Sequence, residues 1–166
     1  MERAPRSDEL STDTELGEPK TQEEWAEYYR LRYERLRKPL GQPPGSERDD
    51  PAEPSSIHIV AKMEGRVVGA GCWVVGLRSA SDPSARRMFV RFRQMAVDSD
   101  FEGRGIGSAI TRHVEERARA LGAVEIVGNV RAEKVGYMRR HGWIEQGEGV
   151  TLFGTVESIS MVKRLS

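Results

Sequence analysis

Gly103, Gly105 and Gly107 alternate along a short segment that joins a strand-like stretch, residues 88–97, to an apolar stripe with helical spacing. Glycine takes positive φ at no steric cost and lets a ligand approach the backbone closely. The start of a helix adds unpaired N–H groups and the positive end of its dipole. Together these make a cradle for an anion, suited in size to a diphosphate. Two diphosphate binders fail on spacing. A P-loop requires Gly-Lys-Ser/Thr, which is absent. The dinucleotide fingerprint requires Gly or Ala three places after its second glycine, where this chain has Ser108 or Ile110. Coenzyme A is the third candidate.

Other reactive side chains have plainer readings. Cys72 lies in an apolar strand and reads as a packed thiol, since a nucleophilic cysteine needs a nearby base. His141 precedes Gly142, where a helix end favours a cation, so it reads as a capping residue. His58 reads as a sheet residue. Trp25, Tyr28, Tyr29 and Tyr33 either line an acceptor pocket or dock a helix on the sheet, and Arg30, Arg32, Arg35, Arg37 and Lys38 read as a solvated face.

The elements that would hold this chemistry follow from periodicity. Thr21 with Glu24 makes a capping-box pattern, and Trp25, Tyr28, Tyr29, Arg32 and Leu36 recur at helical spacing, predicting a helix over about 22–37. Residues 41–51, rich in Gly and Pro, read as a long exposed loop. Residues 57–63 and 67–75 make a β-hairpin around a turn at 64–66. A polar loop at 78–86 then leads to a strand in which Phe89, Arg91, Arg93 and Met95 share one face. Ile106, Ile110, Val114, Ala118 and Leu121 form the stripe of a helix ended by Gly122. A strand at 124–127, a helix over about 131–140 and strands at about 143–147 and 151–164 complete the chain. This order predicts an α/β domain with a mixed sheet.

Composition narrows the function classes. With 166 residues, a single domain is the prior. Twenty-six basic residues balance 26 acidic ones, which argues against a dedicated nucleic-acid or anionic-membrane binder. The longest nearly apolar run, residues 67–77, is far shorter than the roughly 20 residues needed to cross a bilayer. The first residues lack the apolar core of a signal peptide, and one cysteine cannot form an internal disulfide or a cysteine-based zinc site, so the chain reads as cytoplasmic with no metal. Residues 1–20 carry six acids, three bases and no aromatic residue, and read as a disordered tail before a single domain at 21–166.

Val97, a short acidic linker and Glu102-Gly-Arg-Gly-Ile-Gly107 resemble the acyl-CoA loop of the GNAT acetyltransferase superfamily, commonly Gln/Arg-x-x-Gly-x-Gly/Ala. Asn129 and the block from Val135 to Trp143 are similar to the family's Asn and its Phe-Tyr-x-x-x-Gly-Phe, and residues 152–163 resemble its last strand. The likeness runs over about residues 57–164. It implies an acyl-CoA N-acyltransferase fold, with a mixed, mostly antiparallel central sheet and helices on both faces.

The resemblance also implies roles. Backbone groups at Met95, Ala96 and Val97 would pair with the pantetheine arm and polarise the thioester carbonyl. The amides of Gly103, Arg104, Gly105, Ile106, Gly107 and Ser108 would hold the pyrophosphate, and Asn129 would contact pantetheine or orient a water. Two positions depart from the pattern. Glu102 stands where the family prefers Gln or Arg and would oppose a phosphate unless it turns away or pairs with Arg104 or another base. The family's general acid, a tyrosine four residues before the block's glycine, corresponds here to Met138, with Tyr137 one residue earlier, about 100° away on a helix. Tyr137 is nonetheless the catalytic candidate. The implied partners are acetyl-CoA and an amine acceptor, a small molecule or a protein amine, with a homodimer as a further expectation and neither nucleic acid nor membrane. The expected function is acetyl transfer by direct attack in a ternary complex. A catalytically silent acyl-CoA sensor is the alternative, and an RNA-binding basic helix a weaker third.

Overall fold

A computed structural model of the chain describes residues 14–78, 87–151 and 156–165. The elements, in chain order, are β1 (Thr14–Gly17), α1 (Gln22–Leu36), β2 (Ile57–Met63), β3 (Arg66–Arg78), β4 (Arg87–Val97), α2 (Ile106–Leu121), β5 (Glu125–Arg131), α3 (Val135–Arg140), β6 (Ile144–Glu148) and β7 (Ser158–Arg164). The strand order is β1-β2-β3-β4-β5-β7-β6. β4 and β5 run parallel, whereas β1/β2, β2/β3, β5/β7 and β6/β7 are antiparallel. This is the mixed α/β architecture expected from the element order, mostly antiparallel as the resemblance implies. The chain divides into two compact units, the first made of the described residues up to Val74 with Gln94–Val114, the second of Val75–Arg93 with the described residues from Glu115 onward.

In the first unit β2 and β3 form the predicted hairpin. Met63 pairs with Arg66 across Glu64 and Gly65, whose φ of +52° and +75° suit the tight turns that follow strand twist. The tail expected to be disordered through residue 20 is instead ordered from Thr14, because β1 pairs with β2 from Thr14↔Met63 to Gly17↔Val60. Edge pairing is a main-chain interaction and requires no apolar side chain, so its composition gave no sign of it. Residues 1–13 lie outside the described residues.

α1 begins where its cap predicts. The Thr21 hydroxyl accepts from Glu24 N–H at 3.1 Å, while the Glu24 carboxylate accepts from Lys20 N–H at 2.7 Å and from Lys62 Nζ at 2.9 Å. Its apolar face buries Tyr28 and Leu31 with Val60, Val67, Ala70 and Ala96, and Trp25, Tyr29 and Leu36 pack against them. Each buried side chain of that size is worth about 2 kcal/mol. Docking therefore accounts for Trp25, Tyr28 and Tyr29. The segment after α1, expected to be an exposed loop, is a chain of short 3-10 turns at Lys38–Leu40, Ser46–Arg48 and Glu53–Ser55, with Ser46 and Glu47 buried.

α2 carries the predicted stripe. Ile106, Ile110, Val114 and Ala118 are at most 1% exposed, but Leu121 is exposed because the helix ends under it. Gly122, at φ +86°, closes the helix, and Ala123 N–H reaches back to Ala118 C=O at 3.0 Å.

In the second unit β5 pairs with β7 from Glu125↔Arg164 to Arg131↔Ser158, which makes β5 longer than predicted. Buried Trp143, Ile126, Met161 and Val90 belong to this unit. α3 is shorter than expected, being preceded by a 3-10 turn at Ala132–Lys134. The loop predicted at 78–86 and the start of the last predicted strand fall mostly on residues outside the described ones.

Candidate functional site

The site is built from the end of β4. The parallel ladder registers Phe89, Val90 and Arg91 with Glu125, Ile126 and Val127. Three residues later Gln94 takes φ +59°, a left-handed conformation that a residue with a β-carbon adopts at a cost of order 1 kcal/mol. The backbone of β4 therefore turns at Gln94 before Met95, Ala96 and Val97, although Val90, Phe92 and Ala96 keep the buried positions of the expected alternation. Ala96 is buried, while Met95 and Val97 are half-buried. Asp98 N–H then returns to Val68 C=O at 2.8 Å, tying the strand end to β3.

A short turn at Ser99–Phe101 leads into the glycine loop. The Asp98 carboxylate caps it by accepting from Asp100 N–H at 2.9 Å. Gly103 and Gly105 take φ of +77° and +79°, so two of the three alternating glycines occupy the left-handed region that their type was expected to serve. The first main-chain bond of α2 runs from Ala109 N–H to Gly105 C=O at 3.0 Å, leaving the amides of Ile106 and Gly107 ahead of the helical ladder. Arg104 lies over the Phe101 ring at 4.9 Å, and Arg66 lies over the same ring at 5.3 Å. Thr111 Oγ1, on the first turns of α2, donates to Gly107 C=O at 2.9 Å and lies 3.6 Å from Met95 Sδ. The structure thus brings Met95–Val97 and residues 103–108, the expected pantetheine and pyrophosphate elements, together in the first unit.

β3 sets how closely α2 can approach. A β-carbon on Gly69 would fall 2.7 Å from Ile106 Cγ2 and 2.9 Å from Ile110 Cδ1. Glycine at this place is required by contact, and the start of α2 rests on it.

Asn129 and Tyr137 belong to the second unit. Asn129 is exposed on β5 opposite Ser160. On α3, Met138 is 5% exposed and packs inward, whereas Tyr137 is half-buried with its ring 4.5 Å from that of His141. The helix is regular from Val135 to Arg140, and Met138 C=O accepts from both His141 N–H and Trp143 N–H as it closes. No local rewinding turns Tyr137 toward the face that Met138 occupies. Arg139 and Arg140 lie in the last turn of this helix, and Lys163 adds a cation at its end, donating to His141 C=O at 2.8 Å and to both Glu115 carboxylate oxygens at 3.0 and 3.1 Å. His141 occupies the capping position, but its ring is used against Tyr137.

One open alternative is answered and one feature was missed. Glu102, expected to oppose a phosphate, accepts from Arg35 Nη2 of α1 at 2.5 Å. Arg32 is fully buried: it donates to both Glu53 carboxylate oxygens at 2.8 and 3.0 Å, to the Tyr28 hydroxyl at 3.2 Å and to Glu47 C=O at 2.5 Å. Arg32 is therefore not part of the expected solvated face, whereas Arg35 stays exposed in its contact with Glu102. Glu53 also accepts from the Tyr29 hydroxyl at 3.2 Å and lies 3.8 Å from His58 Nε2, while His58 Nδ1 is 2.7 Å from the Tyr28 hydroxyl. Burial pushes the Glu53 carboxyl upward, but the Arg32 guanidinium more than offsets this and holds it below the ordinary value. Burial raises the Tyr28 hydroxyl far above its usual range. The carboxylate at the head of the glycine loop, where the resemblance calls for Gln or Arg, was itself a signal that a cation could lie near; nothing in the spacing of Arg32 and Glu53 marked their pairing.

Among the described residues no cluster of His, Cys, Asp or Glu could hold a metal ion, and no helix is long and apolar enough to cross a membrane.

Comparisons with known proteins agree with this arrangement. N-acetyltransferase 8B of Homo sapiens is 30% identical over 100 residues, which are 58% of this chain and 42% of the human protein; the match thus spans less than half of that relative's length. An acyl-CoA N-acyltransferase from Pseudomonas aeruginosa superposes with a TM-score of 0.66 at 18% identity, covering 92% of this chain and 99% of the other. A GNAT family acetyltransferase from Elizabethkingia anophelis, solved with acetyl-CoA bound, does so with a TM-score of 0.66 at 13% identity, covering 93% and 100%. The acyl-CoA N-acyltransferase fold is thereby shown. The sequence model of the acetyltransferase (GNAT) family matches residues 19–143, three-quarters of the chain, from before α1 to Trp143 with the glycine loop between, and the chain belongs to that family.

Proposed function

We propose that the protein transfers an acetyl group from acetyl-CoA to an amine acceptor, the amine attacking the thioester directly in a ternary complex. The observation that carries the reading is the pair of left-handed glycines, Gly103 and Gly105, leading straight into the N-terminus of α2. Their amides, with those of Arg104, Ile106, Gly107 and Ser108, would hold the pyrophosphate. Met95, Ala96 and Val97 would offer main-chain groups to the pantetheine arm, and a backbone N–H there would polarise the carbonyl as negative charge develops. Asn129 would contact pantetheine or a water. Catalysis rests mainly on position and on stabilisation of that charge. The departing thiolate is a fair leaving group, with Tyr137 as the candidate proton donor. The acceptor is a small-molecule or protein amine, the setting cytoplasmic, and a second copy of the chain a possible homodimer partner.

The test is direct. Acetyl-CoA should raise the melting temperature by mass action, and Gly105→Val should abolish the shift by blocking backbone approach. An equal shift in both proteins would overturn the cofactor assignment. Release of free thiol from acetyl-CoA across a panel of amines then identifies the acceptor.

The inward packing of Met138 favours a second reading, an acyl-CoA-binding GNAT domain without turnover. Tight acetyl-CoA binding with no thiol release for any amine would select it.

A further inference from the structure

The loop that enters the glycine cradle is acidic: Asp98, Asp100 and Glu102 precede Gly103, and only Arg104 follows as a base within it. A diphosphate brought to such a loop meets repulsion unless the carboxylates are engaged elsewhere. Two of them are. Asp98 holds Asp100 N–H through one oxygen and lies 3.9 Å from Arg66 Nη2 of β3 through the other. Glu102 accepts from Arg35 Nη2 at 2.5 Å, across 67 residues of sequence.

Arg35 sits in the last turn of α1, where the helix dipole already favours a cation. Its partner Glu102 has extended backbone, and Gly103 with φ +77° follows it. The contact therefore joins a helix end to the residue at which the cradle begins. Both side chains remain partly exposed, at 40% for Arg35 and 57% for Glu102, so the pair adds little to folding stability. Its effect lies in the charge presented to a ligand beside it.

We infer that Arg35 is a positioning residue for the acyl-CoA diphosphate: it supplies from α1 the counter-charge that lets Glu102 stand at the mouth of the cradle. The inference rests on the cofactor reading above and deepens it. Near the diphosphate site the pair sums to zero. Removing Arg35 leaves a bare carboxylate, removing the Glu102 charge leaves a bare guanidinium, and removing both restores the balance.

Titration calorimetry of acetyl-CoA into wild type, Arg35→Met, Arg35→Lys, Glu102→Gln and the Arg35→Met/Glu102→Gln double variant tests this at low salt and at about 0.5 M salt. Arg35→Met should weaken binding roughly three- to tenfold at low salt, Glu102→Gln should tighten it by a similar factor, and the double variant should return close to wild type. Arg35→Lys, which keeps the charge, should bind like wild type. At high salt the differences should shrink. Wild-type affinity in Arg35→Met, or equal loss in Arg35→Lys and Arg35→Met, would overturn the role. So would Glu102→Gln binding as weakly as Arg35→Met, which would make the contact a loop fastener rather than a charge balance. Gly105→Val serves as the separate control. If it leaves affinity intact, or if no protein in the series binds acetyl-CoA, the cofactor reading fails and the Arg35 role with it; if it abolishes binding while the charge series is flat, only the Arg35 role fails.

Discussion

Tyr137 and Met138 pose the sharpest question about single residues. Because α3 is regular and Met138 is packed, Tyr137 can donate a proton only from the half-exposed face on which His141 also lies. If it does so, Tyr137→Phe should lower kcat by about 10- to 100-fold, at the weak end for general acids, and leave acetyl-CoA affinity unchanged. Turnover within twofold of wild type would remove Tyr137 from the mechanism. Met138→Tyr, which the sequence pattern invites, meets a packed site and should instead lower the melting temperature, since extra atoms in a full core cost about 1–3 kcal/mol. Gln94 gives a second prediction at this scale. Gln94→Gly relieves the left-handed strain at φ +59° and should raise the melting temperature by about 2 °C; a fall would show that the side chain holds the turn.

At the scale of elements, the close approach of α2 to β3 at Gly69 matters more than any side chain on the loop. Ile106 Cγ2 lies near the backbone and cannot swing aside as a chain end would, so Gly69→Ala should push back the first turn of α2. The expected result is a loss of several degrees in melting temperature, with a further fall in acetyl-CoA affinity because the cradle amides belong to that turn. Unchanged affinity in a folded Gly69→Ala protein would show that the loop holds its shape without β3. Much of this layout was legible beforehand. The stripe from Ile106 to Ala118, the cap at Thr21 and the hairpin around Glu64 and Gly65 are local patterns, and local patterns are written in short stretches of sequence. β1 was not legible, because its pairing is made by main-chain groups that its side chains do not report. The turned backbone at Gln94 was also hidden, since nothing in Arg93-Gln94-Met95 distinguishes a bulged strand from a straight one. The left-handed turns of the glycine loop were readable from Gly103 and Gly105, whereas the contact of Arg35 with Glu102 required two segments far apart in sequence to be seen together.

At the scale of the whole molecule, the Arg32–Glu53 pair sets how stability depends on acidity. Arg32 of α1 faces Tyr28 and Tyr29 on its own helix, Glu47 and Glu53 on the following segment, with Arg48 over the Tyr29 ring, and lies near His58 of β2 and Cys72 of β3. The Glu53 carboxyl is held below its ordinary value of 4.5, so the folded state binds its proton less readily than the unfolded chain. The stability this contributes is fully present above pH 4.5 and is lost as pH falls through the lower, folded value. Glu53→Gln should flatten that acid limb of the melting curve, as scanning calorimetry from neutral to acid pH can check. An unchanged limb would assign it to other carboxylates. At neutral pH Glu53→Ala leaves a buried guanidinium without its carboxylate and should cost about 3 kcal/mol, or about 8 °C. One of the two ties that Arg32 makes to the segment after α1 ends on the Glu47 carbonyl, a group that every amino acid carries. The fastening thus depends on side-chain identity at Arg32 and Glu53 but not in the exposed positions between the two ties. Asp49, exposed between the two ties, can be varied in a library with the ends of the segment still pinned, whereas Arg48 over the Tyr29 ring and Asp50, which accepts from Ala52 N–H, carry contacts of their own.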